Sequence, residues 1–337
     1  MKPDPLISVE ALGFPWPCQD PFLFCAYHLD AFPKGNDQLG PAPGLAGRNL
    51  GQDFDNVDGW NMYHGHEVPG FPQHPHRGFE TVTVVRHGFV DHSDSLGATA
   101  RYGQGDAQWL TTGKGISHSE MFPLLNRDKD NHTEAFQIWL NLPPDKKMAQ
   151  PRFSIVWDET QPRRDFGGCV LRLIAGHLAD MQAPPPPPDS WAAVPGSEVV
   201  IATLTFAPGA GWALPAASPN LSRSLYLFKG SLALAGHTLQ SGHCARVQSD
   251  VEIALKAGAE GAQVLLLQGR PIAAPVAQDG PFVMNSRAEL EQAFQDYRLN
   301  QFGGWPWPDN APVHAREAGR FAKFPDGSQE RPKGGKS

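Results

Sequence analysis

The chain has 337 residues, with 28 Lys and Arg against 35 Asp and Glu, a formal charge of −7. That acidic balance argues against non-specific nucleic-acid binding, which needs a basic face for the phosphates; a hydrophobic share of 40% excludes a disordered chain. Gly and Pro contribute 35 and 33 residues, too many for a helical bundle and suited to short strands joined by many turns.

The length allows about two domains, each with its own core. Cys18, Cys25, Cys169 and Cys244 lie far apart, without a Cys-x-x-Cys pair, and read as buried thiols of a reducing compartment. The first residues lack an apolar signal region, and no run approaches the ~18 apolar residues that span a bilayer. A cytoplasmic protein with no membrane segment is therefore expected.

In chain order, residues 1–33 read as a strand-forming entry, with Pro21–Tyr27 as its strand. Residues 34–73 are rich in Gly, Asn, Asp and Pro; an excursion of that length inside a domain is usually functional or mobile. Strands are then expected at Glu80–Val85, Phe89–His92, Ala107–Leu110 and Ala135–Leu142, the last with Phe136, Ile138 and Leu140 on one face. Asp91–Asp94 reads as a turn closing one end of the domain. Pro143–Lys147 is the expected junction.

Beyond it, strands are expected at Phe153–Trp157, Val170–Ala175, Val199–Phe206, Ser224–Phe228, Val251–Leu255 and Gln263–Gln268, with Pro184–Pro188 a surface loop. Ser286 followed by Glu289 forms a capping box, and Leu290, Ala293, Phe294 and Tyr297 make one apolar stripe, predicting a helix over 286–298. After Trp307 the chain turns polar, and Arg331–Lys336 reads as a frayed tail. The two halves share a strand–glycine–strand pattern, around Gly88 and around Gly230, consistent with a duplicated β-barrel unit. The expected organisation is residues 1–143, residues 144–304 including the helix, and a polar tail 305–337.

Chemistry concentrates in 70–121. Residues two apart on a strand share a face, so His74 with His76, and His118 with Glu120, each present two side chains side by side. Three imidazoles and one carboxylate suit Fe(II), Ni, Cu, Mn or Zn and are poor for Ca or Mg. Gly70, Gly78, Gly113 and Gly115 crowd both pairs and suit tight turns that aim strand ends at one point. His64 and His66 form another His-x-His in glycine-rich surroundings that do not hold a rigid pair. His28, His87, His92, His132, His177 and His314 lack a partner pattern and are expected to be structural.

The segments Phe71–Val82 and Gly105–Met121 resemble the pirin family of the cupin superfamily, and Phe282–Asn285, the helix after it and Phe302–Gly304 resemble that family's C-terminal signature. The resemblance spans most of residues 20–304. It implies an all-β bicupin of two β-barrel (jelly-roll) domains with a short C-terminal helix, and a metal, typically iron, in the N-terminal domain. It also implies His74, His76, His118 and Glu120 as ligands. The general cupin pattern His-x-His-x3-Glu would instead take Glu80, which the family pattern leaves as a nearby acid that orients a histidine or water. Matching the halves places Ala216, Ser218 and Ser222 opposite His74, His76 and Glu80, and Leu255 and Ala257 opposite His118 and Glu120, so the C-terminal domain is expected to hold no metal.

Two functions follow from the resemblance. One is a quercetin 2,3-dioxygenase-like ring cleavage of flavonols or related aromatics by dioxygen, with Glu120 or Glu80 as base for the substrate hydroxyl. Trp109, Phe79, Phe136 and Trp139 are candidate walls. The other is a non-enzymatic metal- or redox-sensing protein that binds a transcription factor or metabolic enzyme. The segment 34–69 is longer than usual in the family and is expected to cover the site's mouth; the tail beyond 304 is given no such part.

Overall fold

The computed structural model describes residues 4–333 and is built mainly of strands, with one α-helix among the described residues. It is an all-β bicupin. Two compact units divide it, and they interleave along the chain rather than following one another. One unit comprises Tyr27–Gln137, Pro144–Glu159 and the chain from Ala274 onward; the other comprises the chain up to Ala26, Ile138–Pro143 and Thr160–Ala273. The expected junction at residue 143 coincides with one observed dividing point, Pro143 to Pro144, whereas the chain from Ala274 onward joins the first unit rather than the second. Two further dividing points fall inside the strands Phe22–Phe32 and Asn131–Asn141, where no turn residue marks a boundary.

The first of these units holds two antiparallel sheets. One has the strand order Arg152–Val156, Ala107–Thr111, Phe79–His87, Asn131–Asn141, Phe22–Phe32. The other runs Gln329–Glu330, Phe321–Lys323, Thr99–Gly103, Phe89–Asp94, Ile116–Met121, Gly70–His76. Between them sits an apolar core that includes Phe32, Val85, Val90, Tyr102, Leu110 and Phe153. Asp91–Asp94, expected as a turn, is the buried end of a strand. Its polar side chains are not solvated but paired: Asp91 receives two hydrogen bonds of 2.7 Å from the buried Arg101 guanidinium.

Arg101 also fixes the C-terminal segment. Its remaining N–H groups donate to the carbonyls of His314 (2.9 Å) and Ala315 (2.8 Å). Phe321–Lys323 pairs with Thr99–Arg101, burying Ala322, and Arg320 bonds Asp106 at 2.8 Å. The polar tail expected over 305–337 thus packs on this unit at residues 314–323; of the part expected to fray, Arg331 donates to the Ala318 carbonyl at 2.9 Å, and residues 334–336 lie outside the described residues. Its polar composition hid it, because its anchors are backbone carbonyls and arginines rather than an apolar stripe.

The helix runs Arg287–Asn300. Ser286 accepts from the Glu289 N–H, while the Glu289 carboxylate accepts from the Ser286 hydroxyl and the Asn285 N–H, the reciprocal cap read from the sequence. Leu290 and Ala293 are buried, and Phe294 and Tyr297 pack on Phe282.

The other unit is built on a nine-stranded sheet whose main order is Leu6–Ala11, His243–Val247, Ser222–Leu234, Ile253–Gly269, Val200–Phe206, Cys169–Ala175, Arg163–Asp165. Its core includes a cluster rich in leucine and valine, with Leu171, Leu204, Leu225, Leu227, Val264 and Leu266. Pro184–Pro188 is a loop, as expected.

Candidate metal centre

The strand Gly70–His76 pairs with Ile116–Met121 so that His74 and His118 are direct register partners. The pairing slips between Phe71 and His74, and this local bulge sets the register that brings the two histidines opposite each other. Close approach of the strands depends on Gly70: at φ 131° a side chain there would stand 2.4 Å from the Glu120 carbonyl oxygen. Gly115 acts similarly at the other strand's start, where a Cβ would stand 2.5 Å from the Phe302 ring.

The resulting geometry gathers three of the expected residues. Ring centroids lie 4.4 Å apart for His74 and His118, 4.8 Å for His74 and His76, and 5.0 Å for His76 and His118. One nitrogen from each ring lies within 4.8 Å of the others. Burial holds His74 down to about 4 and lowers His76 and His118 well below the usual imidazole range, so all three rings are neutral near pH 7. His74 Nδ1 faces the Pro72 carbonyl at 2.8 Å, which places its proton there and its lone pair on Nε2. Both ring nitrogens of His118 are buried without a hydrogen-bond partner. A buried imidazole left in that state costs free energy, and a borderline-soft cation at the centre of three neutral rings would satisfy it. The donor set fits a metal ion.

The carboxylates are placed differently. Glu120 lies two residues from His118 on the same strand, but its oxygens do not fall within the histidine cluster. They accept instead from Thr83 (3.0 Å), Tyr102 (3.2 Å) and Gln137 (2.6 Å). Burial pushes its carboxyl above the ordinary glutamate value, against the opposing pull of His92 and these hydrogen bonds. Glu80 lies in the facing sheet, wholly buried, and accepts from Thr111 at 2.7 Å. Neither acid joins the three-histidine cluster.

Sequence reading passed over two features. His92 lies 5.6 Å from His118 and stacks on Phe153 at 4.7 Å; its nitrogens are engaged by Asp94 at 3.1 Å and Gln108 at 3.2 Å. Only its place in a strand beside His118 signals it. The other is the cavity beside His74, about 880 Å3 in volume. His64, His66 and Val68 of the long excursion line one part and Pro308–Val313 another, so both insertions shape the approach. His64 hydrogen-bonds the Gly51 carbonyl at 2.7 Å, and neither His64 nor His66 joins the cluster. The four expected aromatic walls do not line this cavity. Phe79 contacts His76 from inside the fold, and Phe71 is the aromatic nearest His74 on the excursion side.

Comparison with known proteins finds two consecutive family matches along the chain. Residues 46–140 match the family described as Pirin, and residues 201–303 match the Pirin C-terminal cupin domain. This chain belongs to the pirin family. Among its pirin relatives is a Pseudomonas aeruginosa protein named "Putative quercetin 2,3-dioxygenase", 38% identical over 68% of this chain and 79% of its own. Pirin-1 of Arabidopsis thaliana is 32% identical, over 68% of this chain and 77% of its own. The crystal structure of quercetin 2,3-dioxygenase from Acinetobacter baumannii covers 89% of this chain and 98% of its own, with a TM-score of 0.70. At 24% identity that likeness establishes the shared pirin fold.

Proposed function

We propose that this pirin is a metal-dependent dioxygenase that opens flavonols or related aromatics, with His74, His76 and His118 holding Fe(II) and Glu120 as the acid–base group beside them. The observation that carries the reading is His118: a buried imidazole with two unsatisfied nitrogens, grouped with two neutral imidazoles of which His74 borders a cavity large enough for a small aromatic. The names of the relatives point the same way. A bound metal of this class acts as a Lewis acid toward adjacent hydroxyl and carbonyl oxygens and mediates reaction with dioxygen.

The chain's own residues supply positioning and proton handling. His74 borders the cavity, so substrate arrives on its side. Thr83, Tyr102 and Gln137 hold the Glu120 carboxylate in fixed orientation, and its raised proton affinity suits it to take the substrate hydroxyl proton. Glu80, buried against Thr111, is a reserve acid on the facing sheet. The His64 and Pro308–Val313 walls limit water and substrate size. No helix among the described residues is long and apolar enough to cross a membrane, and the four cysteines are free, which supports action in a reducing, cytoplasmic setting.

The test is anaerobic loading with Fe(II), addition of quercetin, then air, following flavonol absorbance and dioxygen uptake. Iron-dependent flavonol loss, absent in His118→Ala, is the expected result. Iron binding without dioxygen uptake would overturn the enzyme reading in favour of a sensor that binds a protein partner.

A further inference from the structure

Within the unit formed largely by Thr160–Ala273, a buried cation borders the apolar core. Arg223 opens the strand Ser222–Leu234 two residues before Leu225, on the same strand face, and is only 1% exposed. Its Nε donates to Gln268 Oε1 at 2.7 Å and its Nη1 to the Pro215 carbonyl at 3.0 Å. Gln268 is its register partner on Ile253–Gly269, so the guanidinium is held rigidly. The third nitrogen, Nη2, is buried and has no hydrogen-bond partner. No carboxylate among the described residues forms an ion pair with it: Glu198 and Asp250 act on it only through space, and Glu198 is engaged by Arg270 at 3.2 Å and by the Ser218 N–H at 3.3 Å. Arg223 forms part of the floor of a cavity of about 640 Å3, walled by Leu178, Val194, Val199 and Pro215.

We propose that this cavity is a binding site for a small monocarboxylate, whose charged end meets Arg223 Nη2 and whose apolar body lies against the aliphatic wall. A buried guanidinium with a missing partner is a costly arrangement that a carboxylate would relieve. Burial draws its pKa down to about 10, which leaves it charged at neutral pH. Only one nitrogen is available, so contact is end-on rather than the two-bond fork that favours phosphate. Glu198 at the cavity wall opposes a dianion further. The site lies in the unit that does not contain the histidine cluster and does not depend on the metal reading.

Isothermal titration of the metal-loaded full chain with sodium benzoate tests it, with inorganic phosphate titrated in parallel. The expected result is one saturable benzoate site, weakened about tenfold or more in Arg223→Gln, while metal content is unchanged. Glu198→Gln should tighten benzoate. Ala216→Trp fills the exposed rim without touching the core, so it tests the cavity even if Arg223→Gln fails to fold, and it too should abolish binding. Benzoate binding that persists in Ala216→Trp or in folded Arg223→Gln would overturn the proposal. So would absence of saturable benzoate binding, or phosphate binding as tight as benzoate.

Discussion

The interiors of the two cupin units differ in what their strands point inward. In one, paired strands present His74, His76 and His118 beside a hydrogen-bonded network of Glu120, Thr83, Tyr102 and Gln137. In the other, the strands present leucine and valine, and Leu255 and Ala257, matched in sequence to His118 and Glu120, lie in the apolar core. The backbone plan is shared, so chemistry is set by a handful of inward positions. The polar interior carries unsatisfied nitrogens and buried acids, and so trades stability for reactivity. The apolar interior stabilises its unit by burial, about 25 cal/mol per Å2 of apolar surface removed from water.

That contrast can be broken by substitution. The largest expected effect is His118→Ala, which should cost at least about 100-fold in metal affinity; metal analysis after dialysis measures it, and full occupancy would sink the ligand assignment. Arg101→Met leaves Asp91 buried without its cation and frees the His314 and Ala315 carbonyls. It should destabilise by about 3–5 kcal/mol, read by urea unfolding. In the apolar interior, Leu225→Ala should cost about 2–5 kcal/mol with metal content unchanged, which separates the two units.

A pH experiment sharpens the contrast further. Burial holds His28 at about 4 in the fold, whereas an ordinary imidazole titrates near 6.5. The unfolded chain therefore takes up protons that the fold refuses, and stability falls as pH drops from 6.5 toward 4. His28→Phe should flatten that part of the Tm profile; an unchanged slope would contradict the assignment. The smallest effect is Ser286→Ala, about 1 kcal/mol from loss of the helix cap.

Much of this architecture was legible in the chain. Alternating apolar residues located the central strands, and Ser286 with Glu289 located the helix start, because both signals are local. The histidine spacing located three residues that do converge, since a two-residue period puts neighbours on one face. Glu120 shares that spacing, yet its oxygens are claimed by Thr83 and Gln137 from the facing sheet, and cross-sheet partners leave no mark in local pattern. Phe321–Lys323 escaped for a similar reason: a three-residue strand with one buried side chain has no periodicity to read. Nothing local in the sequence distinguishes Arg101, the buried partner of the tail, since its pairing with Asp91 is made across two strands.

The wall contributed by Pro308–Val313 has a consequence for how the protein is made. The three histidines are all synthesised by residue 118, while that wall leaves the ribosome only after most of the intervening unit has been translated. Pairing of Phe321–Lys323 with Thr99–Arg101 closes a contact across more than 200 positions of sequence, a slow kind of step. During synthesis the imidazoles therefore precede their cover, and the nascent chain offers them to the surroundings before the finished cavity restricts access.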